Sequence, residues 1–318
     1  MINKSALCYL LTTISFFVLS CTKNGTPPVI VPELLDTLGT GWQRIKVDTT
    51  QHFEDIFFVN NQTGFLCGDK YLGKSVDGGL TWTKILPDST SAGLVNLFFI
   101  NANNGWVFGG NNSARTADGG TTWQKINKAG FLDGQFFDAN NGYLIGGPSG
   151  LYKTTDGGFT FQSMNYPSGP GTVWGLYFLD QNNGWFSGSH LQKTENAGVS
   201  YSSSSSPISQ GEYAIQFTDA LHGWIAGVSD VYRTIDGGIT LETIIHNSTV
   251  HASGIRFFDN NNGYILADGK IYSTADGGKT LTQLCAIHKG TAYEIHFTDP
   301  DHGWTTSSTG YIYKYVKP

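Results

Sequence analysis

Three acidic side chains, Asp55, Asp133 and Glu294, occupy one position of a recurring unit, each nine residues before a glycine that an aromatic residue follows. Tyr177, Arg256 and His296 share a second position, seven before that glycine. Carboxylates that converge on one space could divide the work of a glycosidase, one protonating the leaving oxygen while another activates water or attacks the sugar. The same groups could instead line a polar funnel holding a sugar or a peptide, or form only the hydrated rim of a channel. A second acidic set heads paired glycines: Asp77, Asp118, Asp156, Asp236 and Asp276, in segments such as SVDGGLTW (75–82) and TADGGTTW (116–123), with a worn copy, TENAGVSY, at 194–201. A third set is basic. Lys74, Arg115, Lys153, Lys193, Arg233 and Lys314 stand three residues before the box aspartate or its equivalent, and Ser273 fills that place in the remaining copy. These six either pair internally or offer a partner a salt-sensitive surface, where arginine forks grip carboxylates in two places. The eight histidines have no HExxH spacing and the four cysteines no CxxC, so neither a metal nor a cofactor is expected.

The elements that must position these residues follow from the glycine–aromatic pairs, Gly64-Phe65, Gly105-Trp106, Gly142-Tyr143, Gly184-Trp185, Gly223-Trp224, Gly263-Tyr264 and Gly303-Trp304. Their spacings are 41, 37, 42, 39, 40 and 40 residues. Six residues before every one of these glycines stands Phe, and four before stands Asn or Asp. Each unit reads as a strand ending in that Phe, a polar turn, a second strand starting at the aromatic, a third leading into the paired glycines, and a fourth beyond them. Four short antiparallel strands per forty residues make one propeller blade. The chain is therefore expected to be all-β, a seven-bladed β-propeller, with the periodic Phe and aromatic residues packed between blades. The seventh unit breaks off at Tyr311–Tyr315, and the start, GWQRI at 41–45, has the spelling of a fourth strand (TWQKI, 122–126). That N-terminal strand should complete the last blade and leave no open edge.

The segment S/T-x-Asp-Gly-Gly-x-Thr-Trp resembles the Asp-box, or bacterial neuraminidase repeat, of sialidases, xyloglucanases and sortilin-type propellers. The resemblance implies that the five box aspartates are determinants of the fold, away from any catalytic face. The whole unit across 41–318 resembles more narrowly the photosystem II assembly and stability factor family, a seven-bladed propeller acting as a scaffold and not as an enzyme. In that family basic residues beside the box form a partner-contact patch, which maps onto Lys74, Arg115, Lys153, Lys193, Arg233 and Lys314. A sialidase-like arginine triad is implausible, because the whole chain has four arginines and three of them, Arg44, Arg115 and Arg233, lie in the closing strand or beside a box. The expected function is thus protein binding and assembly without catalysis. The alternative is a carbohydrate-binding or glycoside-hydrolysing Asp-box propeller working through Asp55, Asp133 and Glu294.

Twenty-five acidic against nineteen basic residues leave no positive field for nucleic acid. At the N-terminus, Lys4 and the apolar run Leu7–Leu19 read as a secretory signal ending in VLSC, which resembles a bacterial lipobox. Residues 1–20 are expected to be removed, Cys21 to carry lipid, and 21–40 to form a tether. The lipid anchor would be the only membrane contact, and Thr22 after Cys21 favours the outer membrane, on its periplasmic side or the cell surface. Cys67 and Cys285, in different repeats, are expected to be buried free thiols.

Overall fold

The computed structural model describes residues 36–37, 41–85, 93–110, 112–126, 130–146, 150–164, 173–205, 207–208, 214–246 and 252–317. The expected signal segment, Cys21 and most of the tether lie outside the described residues. Everything regular in the described chain is strand. Six sheets have four antiparallel strands in sequence order and span 53–84, 96–125, 131–163, 175–203, 214–246 and 252–286. The seventh takes Ile295–Asp299, His302–Thr306 and Tyr311–Val316 from the C-terminal end and Trp42–Lys46 from the N-terminal end. Trp42 pairs with Tyr315, Arg44 with Tyr313 and Lys46 with Tyr311, so the ring closes as the sequence implies. A two-residue strand, Asp36–Thr37, adds to the outer side of that strand, so pairing begins five residues before the expected boundary at 41.

The periodic residues explain why neighbouring blades stack. Each Phe ring lies across the strand beside it, over the glycine six residues later; a Cβ on Gly105 would meet the Phe99 ring at 2.1 Å, and one on Gly303 would meet Phe297 at 2.3 Å. These glycines serve close approach and not a turn. On the other side of the same ring lies the aromatic of the preceding blade. Phe65 stacks on Phe99, Trp106 on Phe136, Tyr143 on Phe178, Trp185 on Phe217, Trp224 on Phe257 and Tyr264 on Phe297, with centroids 3.6–4.3 Å apart and planes within 11°. Trp304 of blade 7 stacks on Phe58 of blade 1 at 3.6 Å, completing the circle. Truncating one such ring to alanine typically costs about 3–5 kcal/mol.

A polar contact runs the same way round. The indole N–H of Trp106, Trp185, Trp224 and Trp304 donates to the carbonyl of Gly157, Gly237, Gly277 and Gly78, the first box glycine of the following blade, at 2.9–3.0 Å. The Tyr143 hydroxyl lies between two carbonyls of the following blade, 3.1 Å from that of Gln181 and 3.3 Å from that of Ala197, the equivalent position. First strands line the axis. Their starts face the links between blades, while the polar turns and the Asp-boxes gather on the opposite face. Cys67 and Cys285 are buried free thiols in blades 1 and 6.

Candidate functional sites: the axial cavity and the Asp-box face

Strand starts place Asp55, Asp133 and Glu294 in one axial cavity of about 550 Å³, which Tyr177, Arg256 and His296 also line. Both repeat positions singled out by spacing therefore meet on the axis. Two residues of strand rise about 6.6 Å, so the carboxylates form one tier and the Arg–Tyr–His groups a second tier deeper in. A second hollow of about 770 Å³, bordered by Glu54, Asp268 and Tyr293, shares Asp55, Asn96 and Glu294 with the cavity and opens it toward the inter-blade face.

Burial penalises charge in this cavity. Asp55 is 6 % exposed, and both of its oxygens accept backbone N–H groups, Oδ1 from Ile56 and Oδ2 from Leu97 of the next blade, each at 2.6 Å. Those bonds favour the carboxylate, yet burial, with Asp133 and Glu54 nearby, pushes its pKa up to about 7. Burial likewise lifts Asp133 to about 6 against the N–H of Gly134, and burial with the charge of Asp55 lifts Glu294 well above the carboxylate range. Burial beside Arg256 lowers His296 to about 3, so its imidazole is neutral at pH 7. Burial also lowers Arg256, against the pull of Tyr177 and Glu294.

The deeper position has a structural use that spacing did not reveal. His296 Nε2 lies 2.9 Å from the Phe58 carbonyl of blade 1, which fixes a proton on that nitrogen. Gln135 and Gln216, at the same repeat position, each grip the next blade twice. Their amides donate to the carbonyls of Phe178 and Phe257 and accept the N–H of the same residues, all at 2.8 Å. The glutamines were legible as polar residues at a position held by Phe57 and Phe98 in blades 1 and 2.

In the Asp-boxes, the aspartate closes a local network. Asp77 Oδ1 accepts the hydroxyl of Ser75 at 2.8 Å and the N–H of Thr81 at 2.9 Å, and Oδ2 accepts the Thr81 hydroxyl. The Ser75 hydroxyl in turn accepts the Gly79 N–H at 2.8 Å. Asp118, Asp156, Asp236 and Asp276 repeat the pattern. Hydrogen bonds from Thr122 hold Asp118 at about 2. Both box glycines have positive φ, 74° and 87° at Gly78 and Gly79. In the worn copy Asn196 replaces the aspartate, and Ala197 is forced to φ 59°.

The six cations sit between blades, each half-buried opposite its own aromatic in the cross-strand register, as Trp106 faces Arg115 and Phe65 faces Lys74. Lys74 Nζ donates to the Gly119 carbonyl at 2.7 Å, serving the carbonyl that an indole serves elsewhere, because Phe65 has no donor. Arg115 donates to the Asp156 carbonyl at 3.3 Å and lies over the Phe159 ring. Lys153 and Lys193 lie over Tyr143 and Trp185. Arg233 and Lys314 end beside Gly277 and Gly78 of the following boxes. Among the described residues only Lys193 of the six forms an ion pair, with Glu195 at 2.7 Å.

Sequence reasoning passed over the apolar side chains that flank the box glycines. Val76, Phe159, Val199, Ile235 and Ile239 are exposed there, Val199 at 84 %. Leu221, in the turn packed beside the blade-5 box, is exposed with them. Their signal was an aliphatic or aromatic residue just before the aspartate or just after the glycines, where other copies carry Thr, Ala, Glu or Lys, although Leu80 at the same place packs inward.

Seven blades with recurrent boxes define an Asp-box type propeller. Residues 36–128, the closing strands with blades 1 and 2, match the family model described as photosynthesis system II assembly factor YCF48. The chain is similar to the solved structure of YCF48 bound to D1 peptide, with a TM-score of 0.72 and 21 % identity, over 91 % of this chain and 100 % of that one. YCF48 from Cyanidioschyzon merolae superposes with a TM-score of 0.68 at 18 % identity, over 87 % and 98 % of the two chains. Virginiamycin B lyase from Staphylococcus aureus shares the fold at 12 % identity, with a TM-score of 0.70 over 86 % and 98 %. At these identities the likeness establishes the fold alone. No curated protein matches the chain.

Proposed function

We propose that this chain is a non-catalytic propeller that binds a protein partner and acts as an assembly scaffold, exported and held at the outer membrane by lipid on Cys21. The observation that carries this reading is the match of its first two blades to the YCF48 assembly factor, whose solved relative holds a peptide. The Asp-box face supplies suitable chemistry. Exposed Val199, Leu221, Ile235 and Ile239 lie among half-buried cations, and an apolar surface edged with positive charge fits an acidic, partly apolar protein segment. The row Lys74, Arg115, Lys153, Lys193, Arg233 and Lys314 contributes part of its charge to that surface, while all but Lys153 also reach the following blade.

Catalysis through Asp55, Asp133 and Glu294 is the weaker reading, since both Asp55 oxygens already serve backbone N–H groups. Affinity capture from native membranes with the lipidated protein tests the proposal. Ile235→Asp with Ile239→Asp should leave the melting temperature within about 2 °C, because exposed sites away from caps and cores change stability little. The same pair should weaken capture of a stoichiometric protein at least tenfold, about 1.4 kcal/mol. Glycoside turnover that falls about a thousand-fold in Glu294→Gln would replace the scaffold with an enzyme.

A further inference from the structure

The axial cavity combines features that a hydrated rim does not need. Arg256 has its Nε fully enclosed and without a hydrogen-bond partner among the described residues. The guanidinium lies close to Tyr177 and Glu294, and among the described residues its ring contact is Phe258 at 6.0 Å. A buried donor left unpaired is unfavourable and calls for an acceptor. One tier nearer the mouth stand the carboxyl groups of Asp55, Asp133 and Glu294, which burial holds partly protonated. Among the described residues no three acidic, histidine or cysteine side chains come together as a metal site. An ammonium group, with its three diverging donors, suits acceptors too widely set to ligate one ion.

From this arrangement we propose that the axial cavity binds a small zwitterion of dipeptide size, with its carboxylate on Arg256 and Tyr177 and its ammonium among Glu294, Asp133 and Asp55. The dimensions agree. The two tiers are about 6.6 Å apart along the strands, and two extended residues span about 7 Å. The cavity, about 550 Å³, is of ordinary ligand-site size, and the hollow above it gives entry. A single charge would satisfy one tier and leave the other uncompensated, so discrimination should be against ligands bearing only one charge. Because the carboxylates are held partly protonated, an arriving ammonium stabilises their ionised forms and expels protons.

The test is titration calorimetry at pH 7 with the full-length protein and three probes: glycylglycine, N-acetylglycylglycine without the ammonium, and glycylglycinamide without the carboxylate. Glycylglycine should bind with both analogues at least tenfold weaker. Its apparent heat should change between buffers of different ionisation enthalpy, in the sense of proton release. Arg256→Met should remove the preference over glycylglycinamide, and Glu294→Gln should reduce the preference over the acetylated probe. Equal binding of the three probes, binding of neutral sugars instead, or no saturable heat up to millimolar glycylglycine would overturn the proposal. The probe comparison uses the unaltered protein, so it stands even if either variant fails to fold.

Discussion

Blades 1 and 5 solve one problem in two ways, and exchanging the solutions measures the contact between blades. In blade 5, Trp224 donates its indole N–H to the Gly277 carbonyl at 3.0 Å, both groups buried, with Arg233 beside them holding Nε and Nη1 enclosed and without partners among the described residues. In blade 1 the aromatic is Phe65, and Lys74 reaches the equivalent Gly119 carbonyl at 2.7 Å. Trp224→Phe keeps a ring against Phe257 and removes the donor. The orphaned carbonyl costs about 1–2 kcal/mol, and the missing half of the indole about 1 kcal/mol more. At roughly 2–3 °C per kcal/mol for a chain this long, the melting temperature should fall by about 6 °C. Adding Arg233→Lys installs the pair found in blade 1, with an ammonium that can turn a proton onto the carbonyl, and should return about 1 kcal/mol. Urea and thermal unfolding of the four proteins complete a double-mutant cycle. If the two changes add to within about 0.3 kcal/mol, the cation does not serve that carbonyl and the account of the basic row is wrong.

Deleting residues 1–46 removes Trp42 and Ile45 from the core and unpairs Tyr311–Val316, so it should lower the melting temperature and cause aggregation seen by light scattering, whereas deleting 1–35 leaves every described strand; equal behaviour of the two would refute closure by the N-terminal strand. Ala197→Gly should raise stability by about 0.5 kcal/mol, relief of left-handed strain exceeding the added freedom of the unfolded chain, and a lower melting temperature would show that the φ of 59° carries no strain. Asp55 and Asp133, at about 7 and about 6, bind protons more tightly folded than unfolded, so their stabilisation is whole below their ordinary value of 3.8 and is lost as pH rises through 6 and 7. His296, lowered to about 3, acts oppositely, its contribution being whole above its ordinary 6.5 and lost as pH falls toward 3. From pH 6.5 to 8 stability should therefore fall with rising pH, and Asp55→Asn should flatten that slope; an unchanged slope would mean that Asp55 does not titrate there.

The blade count, the strand order and the closing strand were legible because each rests on a contact between residues at fixed separation: Phe58 against Gly64 within a blade, Phe65 against Phe99 across two. The axial convergence of Asp55, Asp133 and Glu294 was legible for the same reason, since equal positions on equal strands meet on a symmetry axis. What spacing could not reveal was reach. Lys74, Arg115, Lys193, Arg233 and Lys314 reach toward the following blade, and whether a long side chain bends inward or toward solvent is set by a neighbour forty residues away. The roles of Gln135, Gln216 and His296 were obscure on the same ground, their partners being backbone groups that carry no residue identity.

Every contact between blades described above runs from one blade to the next in a single rotational sense: indole to carbonyl, cation to glycine, glutamine to phenylalanine backbone. A blade thus carries one side that extends side chains and an unlike side that receives them, the relation that in subunit assembly is termed heterologous, and such units form an open filament unless the angle between them closes a ring. Here seven close. A chain cut to fewer blades would end with one side offering an aromatic and the other a matching slot, so fragments should join head to tail until the circle is complete, and a propeller of this kind should form from repeated short chains as well as from one long one.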